Sequence, residues 1–451
     1  LRLRSEHDRA IARLAVPALG TLVAEPLYVL ADTAIVGHLG TSELAGLALA
    51  TTVLLTMHGL LIFLAYGTTA AVSRLIGADD TTTAARMSVQ ALWLAAALGV
   101  AVAGLLTVFA TPLLELLGGS GDGLAAGRTY LRVSAAGVPF LLMTLAGAGT
   151  FHGRQDTRTP LAIAITSALA NLVIELALIM GLGFGIGASA LSTVLAQAGA
   201  AALYVGRVVG WARALGLPLR PVSATLRRLL VAGQPLMLRN LALRGAFTLA
   251  TAVAARIGEV ELAAHQVGLQ VWSTLALALD AVAIAGQALT GRWLGAGAAE
   301  RARAAARRMI ELDVAVGVVA GVVIVALRWP IASIFSPDPD VVATVAFVLV
   351  FVAVAEPVNG YVFALDGILI GAGDLRYLGR AMALVSAVFI VLAGALLASP
   401  SLLVGRTGLG WLWSLLACFM CLRALAVWWR WRSDRWVVLG AGTTASRSEP
   451  R

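Results

Sequence analysis

Along the chain, apolar stretches of 18 or more residues alternate with short polar segments. Each stretch is long enough to cross a bilayer core, which takes about 20 residues of helix. At that depth there is no water to pair with the backbone, so only helices or closed barrels can span it. Barrel strands alternate polar and apolar residues. These stretches are uniformly apolar and rich in Ala, Leu, Val and Gly, so the pattern predicts helices. Twelve spans are expected, near residues 9–37, 43–72, 84–110, 124–152, 158–181, 186–211, 225–257, 260–291, 302–328, 339–371, 376–398 and 407–432.

Composition supports this picture. Of the 451 residues 60% are hydrophobic and 13% charged, against roughly 25% charged in a soluble domain. The first apolar stretch is too long for a secretory leader and lacks a cleavage site, so it is read as a span. The net charge of +9 comes from arginines alone. They sit at helix ends and do not form a nucleic-acid surface. Arg74, Arg86, Arg154, Arg158, Arg292, Arg301, Arg303, Arg376 and Arg380 lie in the even-numbered loops, whereas the odd-numbered loops carry Glu43, Asp122, Asp338 and Asp340. The arginine-rich side faces the cytoplasm, so both termini are expected there, in a plasma (inner) membrane. Cys418 and Cys421, inside the last span, are read as packing residues. The cluster Trp428, Trp429, Arg430, Trp431 and Arg432 is read as an interfacial anchor.

Sliding the chain against itself by 218 residues reveals a duplication. Pro17 falls on Pro235, Gly40 on Gly258, Glu43 on Glu261, Arg74 on Arg292, Pro112 on Pro330, Pro139 on Pro357 and Asp156 on Asp374. Three of the four prolines between residues 17 and 158 meet another proline, where chance gives about 0.1 (4 × 14/451). Six spans per copy is an even number, so the copies enter the membrane in the same direction. The expected fold is all-α and integral to the membrane, with twelve helices in two six-helix lobes related by a parallel pseudo-twofold repeat. The lobes are placed at 1–210 and 225–435, with a cytoplasmic linker at 211–224 and a polar tail at 436–451.

Ionisable groups inside the hydrocarbon are costly and call for a role. In the first span Glu25, Tyr28 and Asp32 share a helical face, and Pro17 and Pro26 favour bends in the same helix. Asn171 and Glu175 are four apart in the fifth span, and Thr193 adds a hydroxyl from the sixth. Such a cluster can hold a proton or a small cation. The second half has Asp280 and Gln287 in the eighth span and Glu356, Asn359 and Asp366 in the tenth. Arg239 and Arg244 of the seventh are expected to pair with acids such as Asp280 or Glu356. His265 is read as a packing residue.

At these residues the sequence resembles the multidrug and toxic compound extrusion (MATE) family, in particular its DinF-like branch. The stretches LADTAIVGHLGTSELAGLALA (30–50), AARIGEVELAAHQVGLQVW (254–272), LDAVAIAGQALTGRWLGAG (279–297) and EPVNGYVFALDGILIGAGD (356–374) carry the likeness. The resemblance implies a first-span coupling aspartate at Asp32 and a bending proline at Pro17. It also implies cavity positions at Tyr28, Asn171 and Thr193, and Glu175 where relatives carry Asp. The seventh span, from Leu229 to Gly258, holds no acid, which speaks against the C-lobe sodium site of the NorM-like branch.

The implied function is a secondary antiporter exporting amphipathic, cationic organic compounds in exchange for H⁺ or Na⁺. A sodium ion would fall to Asp32, Asn171, Glu175 and Thr193. No other cofactor is expected, and the partners are the bilayer and small organic substrates, with the protein a monomer. The alternative is a flippase for lipid-linked precursors with the same superfamily fold. No Walker A loop, H-E-x-x-H or G-x-S-x-G motif is present, so the chain is not read as an ATPase or an enzyme.

Overall fold

The computed structural model describes residues 6–442 and is nearly all helical. The first half contains α1 (Glu6–Gly37), α2 (Thr41–Leu61), α3 (Phe63–Gly77), α4 (Thr81–Val108), the short α5 (Ala110–Leu116), α6 (Gly121–Ala135) and α7 (Val138–Gly153). It continues with α8 (Arg158–Leu176), a π-helical turn Ala177–Gly181, and α9 (Ile186–Ala214). The second half contains α10 (Ser223–Ile257), α11 (Glu259–Gly295), α12 (Ala299–Phe335), α13 (Pro339–Gly371), α14 (Leu375–Leu397) and α15 (Gly405–Arg432).

Twelve membrane segments result, counting α2 with α3, α4 with α5, and α6 with α7 as one each. Ten are long and apolar enough to span, and α6–α7, bent by 50°, gives an eleventh. The twelfth is α10, whose apolar character is diluted by Gln234, Arg239, Asn240 and Arg244. Large apolar side chains such as Leu105, Val108, Val322 and Val354 point outward, as a lipid-facing surface requires.

The duplication is visible in the backbone. The pair α2–α3 covers 41–77 and α11 covers 259–295; α6–α7 covers 121–153 and α13 covers 339–371. Both offsets are 218 residues (259 − 41, 339 − 121). Gly40 precedes α2 as Gly258 precedes α11, and a Cβ at either glycine would strike the carboxylate of Glu43 or Glu261 three residues on. Each copy thus caps this helix with a glycine and an acid at the third helical position, where the unpaired N–H groups lie.

The copies differ in continuity. α6 and α7 break at Ala136–Gly137, whereas α13 runs unbroken through the equivalent residues. Pro139 and Pro357 occupy the same position of the repeat, so proline alone does not make the break. The difference is Gly137 against Ala355: a Cβ at Gly137 would lie 2.6 Å from Gln197 Oε1 and 3.1 Å from Val194 of α9. A bare backbone there lets the bend close onto α9.

Two compact units divide the chain just before Val16 and again just before Gln234. The first holds Val16–Gly233; the second holds the described residues before Val16 together with those from Gln234 onward. These bounds differ from the expected lobes at 1–210 and 225–435. Both boundaries fall inside helices, since α1 and α10 continue through them, and they too are 218 residues apart (234 − 16). The start of α1 is fixed to the second unit by Asp8, whose carboxylate receives Arg308 Nε at 2.5 Å and Nη2 at 3.2 Å.

The expected linker is also held in place. Gln90 of α4 donates to Arg220 O at 2.9 Å and accepts from Val222 N at 2.8 Å, while Trp93 Nε1 donates to Leu219 O at 2.7 Å. The start of the expected polar tail is packed: Trp436 is fully buried and stacks on Trp431 at 4.9 Å, and Gly440 N donates to Leu294 O at 2.9 Å. Residues 443–451 of that tail lie outside the described residues. Within the anchor, Arg432 lies over the Trp428 ring at 5.1 Å. Cys418 and Cys421 are exposed on α15 and do not pack inward as expected. His265 is buried, edge-on to Trp413 at 5.6 Å and 3.3 Å from Thr251 Oγ1, a packing position.

Candidate functional site

In the first unit α1, α6, α8 and α9 bring one polar cluster together. Asp32, on α1, is only 4% exposed. Its Oδ1 accepts from Ser189 Oγ of α9 and its Oδ2 from the Tyr130 hydroxyl of α6 at 3.4 Å. One turn earlier on α1, the Tyr28 hydroxyl meets Thr193 Oγ1 at 2.6 Å. Asn171 Nδ2, from α8, reaches Ser192 Oγ at 3.2 Å and Thr193 Oγ1 at 3.3 Å. The three hydroxyl residues share a face of α9 because they are three and four apart, and Ser192 and Thr193 donate back to Ser189 O.

Glu175 completes the cluster. It is 1% exposed, lies one turn beyond Asn171 on α8, and its Oε1 has no hydrogen-bond partner. Immediately beyond it α8 widens into the π-helical turn at 177–181, a distortion often found beside functional side chains. Two carboxyls buried in one cluster are costly as bare charges, a cost that a proton or a cation would relieve.

Five of the six first-lobe candidates therefore meet. Pro17 does not, since 15 residues of helix, about 22 Å, separate it from Asp32. α1 runs on as helix through Pro17 and Pro26, and Thr21 Oγ1 bonds Pro17 O at 3.1 Å. Glu25 points elsewhere, half exposed and 3.4 Å from His58. Sequence reasoning missed Tyr130, Ser189 and Ser192. The spacing Ser189–Ser192–Thr193 was a readable signal, whereas nothing in the sequence tied Tyr130 to Asp32.

The second unit fills the same place with hydrocarbon. The repeat equivalents of Tyr28, Asp32, Tyr130, Asn171 and Glu175 are Ala246, Ala250, Val348, Phe389 and Ala393, and all five lie in its buried apolar core. Its polar residues lie at other positions. Asp366 Oδ2 accepts from both Arg239 Nη2 at 2.5 Å and Arg423 Nη2 at 2.9 Å. Arg239 thus pairs with Asp366, an acid other than the Asp280 and Glu356 named from the sequence, because Asp366 of α13 lies between α10 and α15. Arg423, missed in the sequence, completes that bridge. Asn359 Nδ2 donates to Glu356 Oε1 at 3.0 Å, and both residues are buried. Gln287 is buried where α11 passes Gly371, Asp280 is half-buried, and Arg244 is exposed on α10. Among the described residues no three acids, histidines or cysteines are placed to hold a metal ion together.

The comparisons with known proteins agree with this architecture. The MatE family model matches residues 17–179 and again 235–396, one match in each copy of the repeat. The chain is 31% identical over 446 residues to Protein DETOXIFICATION 44, chloroplastic, of Arabidopsis thaliana, covering 95% of this chain and 83% of that one. It is 30% identical over 446 residues to DNA damage-inducible protein F of Escherichia coli K12, covering 96% and 94%. A solved MOP superfamily transporter from Pyrococcus furiosus shares the fold, with a TM-score of 0.85 at 22% identity over 96% of this chain and 97% of that one. With a family match in each half and near-complete overlap with both relatives, this multi-pass membrane protein belongs to the MatE family of multidrug and toxic compound efflux transporters, which are not enzymes.

Proposed function

We propose that the chain is a secondary antiporter that exports amphipathic, cationic organic compounds in exchange for protons, with the Asp32–Glu175 pair as its coupling site. The observation that carries this reading is the burial of Asp32 and Glu175 in one polar cluster, where Ser189 and Tyr130 donate to Asp32 and Glu175 Oε1 has no partner. Two carboxyls buried in one cluster are neutralised most compactly by a proton, and we take H⁺ as the coupling ion. With one proton bound the pair carries a single negative charge, and Ser189 and Tyr130 donate to the Asp32 carboxyl. On deprotonation two negative charges share one buried site, which attracts a cationic substrate or a new proton. Competition between the two for one site is what exchange requires.

The arginine pattern supports a plasma membrane location with both termini cytoplasmic. We place the working unit at one chain, since the polar cluster draws all its residues from a single copy of the repeat. Flipping of lipid-linked precursors is not favoured, because the family match is to efflux transporters.

Ethidium efflux from proteoliposomes, with ΔpH and ΔNa⁺ imposed separately, tests the reading. ΔpH should drive efflux, and Asp32→Asn should abolish it. Unchanged efflux in that variant would remove Asp32 from coupling, and efflux driven by ΔNa⁺ alone would replace the proton with sodium.

A further inference from the structure

The second unit contains a carboxyl group for which the Asp32 site has no use. Asp313, on α12, is 0% exposed, and neither of its carboxyl oxygens has a hydrogen-bond partner. Glu356 Oε2 and Asn359 Oδ1, from α13, are buried and equally unpartnered. The charged groups that act on Asp313 are Asp280 of α11 and Glu356, both acids. No arginine is among them. Asn359 of α13 is the polar group next to Gly360, the residue that meets the Asp313 backbone.

The packing here is unusually close. A Cβ at Gly360 would strike the backbone carbonyl of Asp313, and one at Gly317 would strike that of Glu356. At Gly321 it would lie 2.5 Å from Ala353 O. The α12 and α13 backbones touch through these glycines, and Asp313 and Glu356 are part of that contact. A buried carboxylate with no hydrogen bond and only acidic neighbours is strongly disfavoured. A bound proton removes the charge at no steric cost, whereas a metal ion needs ligands at a spacing that the described residues do not provide.

We propose that Asp313, with Glu356 on the facing helix, forms a second protonation site confined to the second unit, and that its bound proton allows α12 and α13 to pack against each other. When the proton leaves, like charges face each other across the glycine contact, and the contact loosens. The site therefore acts as a latch between two helices, weakened as pH rises. It is independent of the coupling role of Asp32, because its effect is on packing within one unit.

The test uses the purified full-length protein and needs no transport assay. Infrared spectroscopy in D₂O should show the C=O stretch of a protonated carboxylic acid that exchanges slowly. The band should be lost in Asp313→Asn, shifted in Glu356→Gln and kept in Asp32→Asn. Hydrogen exchange along α12 and α13 should rise with alkaline pH in the wild type and stay flat in Asp313→Asn. An infrared band identical in Asp313→Asn and Glu356→Gln to the wild type would overturn the site. Flat exchange in the wild type would overturn the latch, and removal of the band by sodium at fixed pH would overturn the proton as its occupant.

Discussion

The two units share one backbone plan and have opposite interiors. Where the first presents Tyr28, Asp32, Tyr130, Asn171 and Glu175, the second presents Ala246, Ala250, Val348, Phe389 and Ala393 in a dry core. The second concentrates its charge elsewhere, with two arginines on Asp366 and the unpartnered Asp313. The helices follow the same division. The first unit is broken at Ile62, at Phe109 and at Ala136–Gly137, whereas the second runs through all three positions. Duplication has kept what the backbone requires, namely caps, prolines and helix lengths, and has freed the buried side chains. A polar, interrupted bundle suits binding and release; an apolar, continuous one suits support.

The largest effect that would test this contrast is at Asp366. Asp366→Asn leaves Arg239 and Arg423 without their shared carboxylate and should destabilise the protein by about 3–5 kcal/mol, as removing one partner of a buried pair does. Asp32→Asn keeps an acceptor for one of Ser189 and Tyr130, while the other hydroxyl can turn to accept from the amide N–H₂, and it should cost no more than about 1 kcal/mol. Thermal unfolding in detergent compares the two, and equal melting temperatures would end the division of labour. Next comes Ala250→Asp, which writes the first unit's aspartate into the second unit's core. A carboxylate at mid-membrane costs about 2.5–3.5 kcal/mol, so yield and melting temperature should both fall. Normal stability would show that the second core is not dry.

The smallest test concerns a cap. Asp80 precedes α4 and accepts from Thr83 N at 2.9 Å; its repeat equivalent, Ala298, has nearly the same backbone angles before α12 and no side-chain cap. Asp80→Ala should cost about 0.5–2 kcal/mol, and Ala298→Asp should gain up to about that much. The Thr83 hydrogen bonds hold the Asp80 carboxyl below its usual range. Its contribution is therefore complete above the unfolded value of about 3.9 and disappears as pH falls through the lower folded value. The stability difference between Asp80→Ala and wild type should be constant near neutrality and vanish in strong acid.

Apolar run length and a repeat of fixed offset made the fold legible, because both are one-dimensional signals. Polar residues three and four apart on one helix were legible for the same reason: Asp32 with Tyr28, and Asn171 with Glu175. Contacts between helices distant in the chain were not. Tyr130 reaches Asp32 across 98 residues, and Arg239 chose Asp366 among four acids. Asp313 was accessible to the rule that singled out Asp280, a lone acid in an apolar run, and was overlooked. The unit boundaries were hidden because α1 and α10 cross them without any break in pattern.

Those two crossings lie one residue before Pro17 and one before Pro235, at matching points of the repeat. Each half therefore lends the opening turns of its first helix to the other half. That is the topology of a domain-swapped dimer whose subunits have been fused end to end. The exchange makes the halves interdependent. A cut at residue 210 would leave the first half without the arm at 223–233, so a separable half would have to be cut by unit and not by sequence repeat.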